Sequence, residues 1–319
     1  MTDTATTSST PSASGTFVHP ALFYATQDEY VRQVGGFVRA AVEADEPAFV
    51  AVPGDKLAPL RDVLGDAARE VEFADMTVVG RNPGRILSAL QAFADKNHGR
   101  AARIVGEPIW PARTPAELLE ATRHEALINT AFARRHATIL CPYFVPGLPD
   151  HVVADARRTH PTLIVDGDDR PSDAYVDASV VCGDCDQPLP APPDHSVTVE
   201  YTIGQLAEVR DLATDWAAGT ALDRARAGDL VLAVSEATTN SLRHGGGSGT
   251  LRLWTAPGGS AVVEVQDAGH LRDPLKGRSR PALASTHGGR GLWMIHHLCD
   301  LVEIRAAATG LTLRLHFTP

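Results

Sequence analysis

The chain has 319 residues, 44% hydrophobic and 21% charged, which excludes a largely disordered protein and gives two domains as the natural expectation. A net charge of −10 argues against nucleic acid or an anionic membrane surface as main partner. From Ser196 on, 12 acidic side chains balance 12 basic ones, whereas the preceding residues carry 27 against 17, so the two parts differ in character.

Residues 1–16 are mostly Ser, Thr, Ala and Pro and cannot bury enough apolar surface to offset their ordering entropy, so a disordered tail is predicted. Over 17–182, short apolar runs alternate with amphipathic stretches. Ala48–Val52, Arg103–Val105, Thr138–Cys141 and Thr162–Val165 read as strands; Asp28–Glu43, Pro83–Lys96 and Pro115–Arg135 read as helices. This alternation predicts an α/β domain with a mostly parallel sheet. Residues 183–195 hold Pro188, Pro190, Pro192 and Pro193, the composition of a stiff interdomain linker. Over 196–319 the rhythm changes. A strand at Ser196–Ile203 precedes helices at Gln205–Ala218 and Asp223–His244. Strands follow at Thr250–Thr255 and Ala261–Gln266, then a polar loop to His287, a short helix from Gly289, and strands at Leu301–Ala306 and Leu311–Phe317. That order predicts an α+β domain, one sheet with helices on one face.

Four cysteines, Cys141, Cys182, Cys185 and Cys299, are too few and scattered for a disulfide scaffold. Cys182-Gly183-Asp184-Cys185 has no second pair for zinc and lies at the linker edge, so it reads as two ordinary thiols. The opening Met1-Thr2-Asp3-Thr4 is not that of a secretory signal, and no apolar run approaches the roughly 18–20 residues of a membrane span. A cytoplasmic protein is expected, without membrane or direct nucleic-acid partners.

The long helix of the second domain carries the chemistry. Leu230, Val231, Val234, Ala237, Thr238 and Leu242 recur at helical spacing and form the packing face. Glu236, Asn240 and His244, spaced i, i+4, i+8, form a polar stripe on the far side. Asp267-Ala268-Gly269 follows at a strand end, where a carboxylate can accept a hydrogen bond from an exocyclic amine beside glycine backbone. Next comes a loop with Arg272, Lys276, Arg278 and Arg280 against Asp273 alone, suited to a mobile lid over polyphosphate. His287-Gly288-Gly289-Arg290-Gly291-Leu292 then opens a helix with exposed N–H groups.

In this order the elements resemble the Bergerat ATP-binding sandwich, and within it the anti-sigma-factor serine kinases of bacterial partner-switching systems. Ser235-Glu236-Ala237-Thr238-Thr239-Asn240-Ser241-Leu242-Arg243-His244-Gly245 is similar to their N box, and Gly289-Arg290-Gly291-Leu292-Trp293-Met294-Ile295 to their second glycine box. The resemblance implies ATP and Mg²⁺ as cofactors, with Asn240 as the Mg²⁺ ligand and Glu236 as general base. It assigns Asp267 and Gly269 to adenine, Gly289 and Gly291 to phosphate, and Arg290 to the charge of the moving phosphoryl group. It further implies a sigma factor and a STAS-type antagonist as partners, and a homodimer. His244 is left without a catalytic role. Leu271 stands where the family's first glycine box has a second glycine. That departure leaves two alternatives open: a non-catalytic sigma-sequestering module with a vestigial ATP site, and a plain ATPase.

His19-Pro20-Ala21-Leu22-Phe23-Tyr24, Gly106-Glu107-Pro108-Ile109-Trp110 and Arg123-His124-Glu125-Ala126-Leu127 make the first domain similar to the MEDS sensory domain of DcmR-type regulators. The relation of that family to RecA-like folds directs attention to Pro53-Gly54-Asp55-Lys56, which lacks the phosphate-loop pattern. His19, Tyr24, Glu107, Trp110, His124 and Glu125 are the candidates for a small-molecule pocket. The competing reading puts Tyr24 and Trp110 in the core and His124 and Glu125 on a helix surface.

Overall fold

The computed structural model describes residues 16–165, 167–281, 290–307 and 309–319. The tail and Gly289 of the glycine box therefore lie outside the described residues, save Thr16.

The first domain is built on strands β1 (Phe17–Val18), β2 (Pro20–Tyr24), β3 (Ala48–Val52), β4 (Val71–Asp75), β5 (Ala102–Gly106), β6 (Ala137–Phe144), β7 (Thr162–Val165) and β8 (Asp168–Pro171). Their order is β4-β3-β5-β6-β2-β7-β8, with β1 beside β6. Every pairing is parallel except β7 with β8. A sheet buried on both faces needs continuous apolar strands, and all five residues of β3 are buried. Alternate side chains feed two cores. Phe49 and Ala51 pack with Ile86, Leu90 and Ile128 on one face, and Val50 and Val52 with Val34, Val38 and Leu60 on the other.

Helices α1 (Gln27–Glu43) and α2 (Gly54–Leu64) cover the second face; α3 (Met76–Val79) follows β4. Helices α4 (Pro83–Lys96), α5 (Pro115–Phe132) and α6 (Asp150–Thr159) cover the first face, and α7 (Ala178–Cys185) packs on α5. α5 starts where the sequence says it should: Thr114 and Glu117 form a capping box and Pro115 takes the first turn. Its middle, residues 120–128, is buried on every side, polar Glu120, Thr122, Arg123, His124 and Glu125 included.

The second domain comprises β9 (Val197–Thr202), α8 (Leu206–Ala218), α9 (Arg224–His244), β10 (Ser248–Thr255), β11 (Ala261–Asp267), α10 (Arg290–Leu298), β12 (Leu301–Ala307) and β13 (Gly310–Phe317). The sheet runs β12-β13-β11-β10-β9, antiparallel throughout. Asp223 caps α9 by accepting from the Arg226 N–H at 2.8 Å. Leu230, Val234 and Ala237 of α9 pack on Leu251, Val263, Val265 and Leu315 of the sheet, each large side chain stabilising the fold by about 1.5–3 kcal/mol.

The opposite sheet face is charged yet covered. Glu264 and Arg314 pair there, with Arg314 Nε 3.0 Å from Glu264 Oε2, and Arg252 Nη1 reaches Glu264 Oε1 at 3.0 Å. The proline-rich segment, expected to be a spacer, lies across this face. Arg305 Nε donates to the Gln187 carbonyl at 3.1 Å and Arg314 Nη2 to the Pro190 carbonyl at 2.7 Å. Guanidinium groups on a sheet face need acceptors, and the linker's free carbonyls supply them.

Candidate functional site

At the nucleotide-type site, the polar stripe of α9 meets the start of α10. A Cβ placed on Gly291 would lie 2.5 Å from Glu236 Oε2 and 3.1 Å from Asn240 Nδ2, so only glycine lets this backbone come so close. Both α9 side chains are half-buried, and among the described residues neither makes a hydrogen bond. They present a carboxylate and an amide, the hard oxygen donors that suit Mg²⁺. His244 is exposed in the last turn of the same helix.

Asp267 ends β11 beside the C-terminus of α9. Its Oδ1 accepts from the Gly269 N–H at 2.7 Å, and a Cβ on Gly245 would come within 2.5 Å of that oxygen. The Ala268 N–H donates to the Gly245 carbonyl at 3.1 Å. The two glycines thus hold the carboxylate at the mouth between α9 and β11, with Oδ2 available to a donor. Leu271, where a second glycine was expected, is half-buried and packs against the domain core. Arg290 is exposed at the start of α10.

The basic loop after Asp267 is not wholly free, contrary to the expectation of a mobile lid. Leu275 packs against the core of the first domain. Arg278 is buried and its Nη2 lies 2.6 Å from Glu120 Oε2 on α5. Arg305 Nη1 of β12 reaches the other carboxylate oxygen at 2.6 Å, and Arg123 Nε lies 3.6 Å away. Burial pushes the Glu120 carboxyl up, but Arg278, Arg123 and Arg305 outweigh it and hold it below its usual range. Arg272, Lys276 and Arg280 are exposed.

Helix α10 is gripped from the same side. Asn82 Nδ2 donates to the His296 carbonyl at 2.9 Å, and Trp293 Nε1 donates to Ser88 Oγ at 3.2 Å. The buried His296 ring faces Gly84, where a Cβ would approach to 2.1 Å. The helix that follows the phosphate-type glycines is therefore seated on α4 of the first domain.

The six sensory candidates fall into separate contact groups. Tyr24 OH donates to Glu107 Oε1 at 2.9 Å, and the Lys56 ammonium contacts both. Burial pushes the Glu107 carboxyl up to about 7, against the pull of Lys56 and Tyr24. Lys56 stands just after β3, where a phosphate loop would sit in a RecA-like fold, and its charge is spent inside the protein. Trp110 stacks under Arg113, 3.8 Å from guanidinium to ring centroid. His124 and Glu125 are buried, not on a helix surface; burial holds the His124 imidazole down at about 3.

His19 and Glu125 belong to a second cluster that also contains Cys141 and His160, every ligand-type atom within 4.8 Å of the others. Burial and the neighbouring His160 push the His19 imidazole down to about 4. Sequence reasoning missed Cys141, His160, Lys56 and Glu120. Spread over the chain, they carry no spacing signal; only the topology of the parallel sheet brings them together. Cys182 and Cys185 are buried in α7, where burial raises both thiols, Cys185 to about 12. They have no thiolate character.

Residues 18–161 match the family model of the methanogen/methylotroph, DcmR sensory (MEDS) domain. Residues 199–317 match that of the histidine kinase-like ATPase domain, which implies ATP binding. The chain is thus a sensory domain of the first kind joined to an ATPase domain of the second. Among solved structures it is similar to the RsbU and RsbW domains of a Mycobacterium tuberculosis protein, at 24% identity and TM-score 0.29, covering 40% of this chain and 33% of that one. It is also similar to the histidine kinase domain of a blue-light-activated histidine kinase from Erythrobacter litoralis, at 12% identity and TM-score 0.25, covering 74% of this chain and 93% of that one. This chain spans a third of the length of the first of these structures. No curated protein matches it. No helix among the described residues is long and apolar enough to cross a membrane.

Proposed function

We propose that this chain is a sensor-coupled anti-sigma factor that binds ATP with Mg²⁺ and phosphorylates a serine on a STAS-type antagonist, sequestering a sigma factor once the antagonist is phosphorylated. The observation that carries the reading is the convergence of Glu236, Asn240 and Gly291. A proton acceptor, a hard oxygen donor and a glycine-lined helix start meet at one place, as phosphoryl transfer requires.

Asn240 is the residue to hold Mg²⁺, which when bound neutralises phosphate charge. Glu236 accepts the proton of the attacking hydroxyl. Asp267 orients the nucleotide by accepting from the adenine amine, Gly269 and Gly291 admit it closely, and Arg290 stabilises charge on the transferring group. The first domain biases this activity through its grip on α10 and Arg278. The protein acts as a cytoplasmic homodimer in this reading. A specific observation favours a second one: Leu271, where a second glycine was expected, packs half-buried against the domain core. On that reading the domain sequesters its sigma factor without catalysis.

The deciding experiment is calorimetric binding of ATP with Mg²⁺ to the full chain, with Asn240→Ala and Asp267→Asn beside it. It is followed by mass spectrometry of a STAS-type partner incubated with the nucleotide-loaded protein. Saturable binding lost in both variants, with phosphate on a partner serine, is the expected result. Binding without phosphate on the partner favours the sequestering module; free phosphate released without a partner favours an ATPase. No binding to folded wild-type protein overturns the nucleotide reading.

A further inference from the structure

Four polar side chains that the ATPase chemistry does not use meet beneath α5. His19 precedes β2, Cys141 lies in β6, His160 precedes β7, and Glu125 comes down from α5; all four are buried. Glu125 Oε2 is the common neighbour, 3.2 Å from His19 Nε2, 3.3 Å from His160 Nε2 and 3.4 Å from Cys141 Sγ. His19 Nε2 lies 3.3 Å from Cys141 Sγ. Ligands about 2.0–2.3 Å from a tetrahedral metal ion stand about 3.3–3.8 Å from one another; these four contacts lie at the lower edge of that spacing, and all four ligand-type atoms lie within 4.8 Å of one another.

The hydrogen bonds behind the cluster decide where the imidazole protons sit. His160 Nδ1 lies 2.7 Å from the Ala156 carbonyl, an acceptor, so this nitrogen carries the proton. The Asn129 amide is oriented by its Nδ2, which donates to the Thr159 carbonyl at 2.7 Å and the Ala126 carbonyl at 3.3 Å. Its Oδ1 therefore faces His19 Nδ1, at 3.0 Å, and that nitrogen too carries the proton. Both Nε2 atoms are thereby left facing Glu125 Oε2, and buried His160 Nε2 and Glu125 Oε1 have no hydrogen-bond partner among the described residues. A buried acceptor left without a donor is unfavourable, so the arrangement calls for a cation at its centre.

We propose that His19, Glu125, Cys141 and His160 form a binding site for a borderline divalent transition metal, of which Zn²⁺ is the type. Two neutral imidazoles, a carboxylate and a thiolate bring a divalent ion to zero net charge, as a buried site demands. Binding displaces the Cys141 thiol proton to solvent. The ligand set is four mixed N, S and O donors, the number and kind that suit zinc. Asn129 and the Ala156 carbonyl hold the imidazoles in the ligating tautomer, the supporting contacts that metal histidines require. The inference does not depend on the nucleotide reading.

The test uses the full chain stripped with a chelator and titrated with Co²⁺ as spectroscopic probe, then with Zn²⁺ in competition. The expected result is one equivalent bound, the visible absorption of tetrahedral cobalt, a thiolate-to-cobalt charge-transfer band, and displacement by Zn²⁺. The isosteric Cys141→Ser removes the charge-transfer band, whereas Cys182→Ser with Cys185→Ser leaves it. Asn129→Ala keeps all four ligands and weakens binding by about 10–100-fold. Circular dichroism of each variant separates loss of the ligand from loss of the fold. Failure of folded wild-type protein to bind either metal overturns the proposal, and so does a charge-transfer band that survives Cys141→Ser.

Discussion

Glu120→Gln tests how the two domains hold each other. The wild-type carboxylate is fully buried and touches Arg278 and Arg305, both from the ATPase domain, at 2.6 Å. The amide keeps the shape but removes the charge, leaving buried Arg278 without its counter-ion, while Arg305 keeps Glu303 and Arg123 keeps Asp186. Removing one partner of a buried ion pair costs about 3–5 kcal/mol, a large part of an ordinary 5–15 kcal/mol of stability. Neither hydrophobic core loses a contact, so the cost falls on docking. Scanning calorimetry of the full chain is the assay. One cooperative wild-type transition should split, with the lower step displaced by about 2–4 °C per kcal/mol. A double-mutant cycle with Arg305→Gln should return a coupling of about 1 kcal/mol or more. A variant that melts as one unit at the wild-type temperature, with zero coupling, would refute this account of the interface.

Gly84→Ala should act at the same interface. Its Cβ would come within 2.1 Å of the His296 ring, and overpacking of about 1–3 kcal/mol should appear as a lowered transition temperature. Gly291→Ala should leave stability nearly unchanged and weaken ATP binding at least about tenfold, because the new methyl group lies 2.5 Å from Glu236 Oε2; unchanged affinity in calorimetry would count against the site. Glu107 is pushed up to about 7 from 4.5. The native state therefore holds a proton that the unfolded state has released over that window, and stability falls as pH rises from about 4.5 to 7. Denaturant titrations should show that slope flattened in Glu107→Gln; an identical pH profile for the two proteins would contradict it.

Local signals were enough for most elements. The start of α5 at Pro115, the long helix from about Asp223 and the apolar runs of β10 and β11 are short-range features, and the structure has these elements in place. That Glu236 and Asn240 lie side by side was legible because they share one helix face; Gly291 stands in the first turn of α10, and its closeness to them depends on how that helix packs. What escaped detection depends on long-range pairing. His19, Glu125, Cys141 and His160 meet only after four separate elements pack, and a lone histidine before a strand looks like any other. Glu120 and Arg278 are 158 positions apart, so an arginine that reads as part of a free basic loop is buried against another domain. The short strands β1, β2 and β4 were passed over because two to five residues beside prolines or acids do not make a clear period-2 pattern.

The linker carbonyls that accept from Arg305 and Arg314 move the boundary between the domains. Composition draws it at Ser196, where the prolines end and β9 begins. Energetically it lies before Gln187, because the segment 187–195 is the cover of the ATPase sheet. A fragment cut at Ser196 would expose the Glu264, Arg305 and Arg314 cluster to water and strip two arginines of main-chain acceptors. The inheritable unit of this ATPase domain is therefore the fold together with its proline strap, and a transplant onto another sensor would have to carry both.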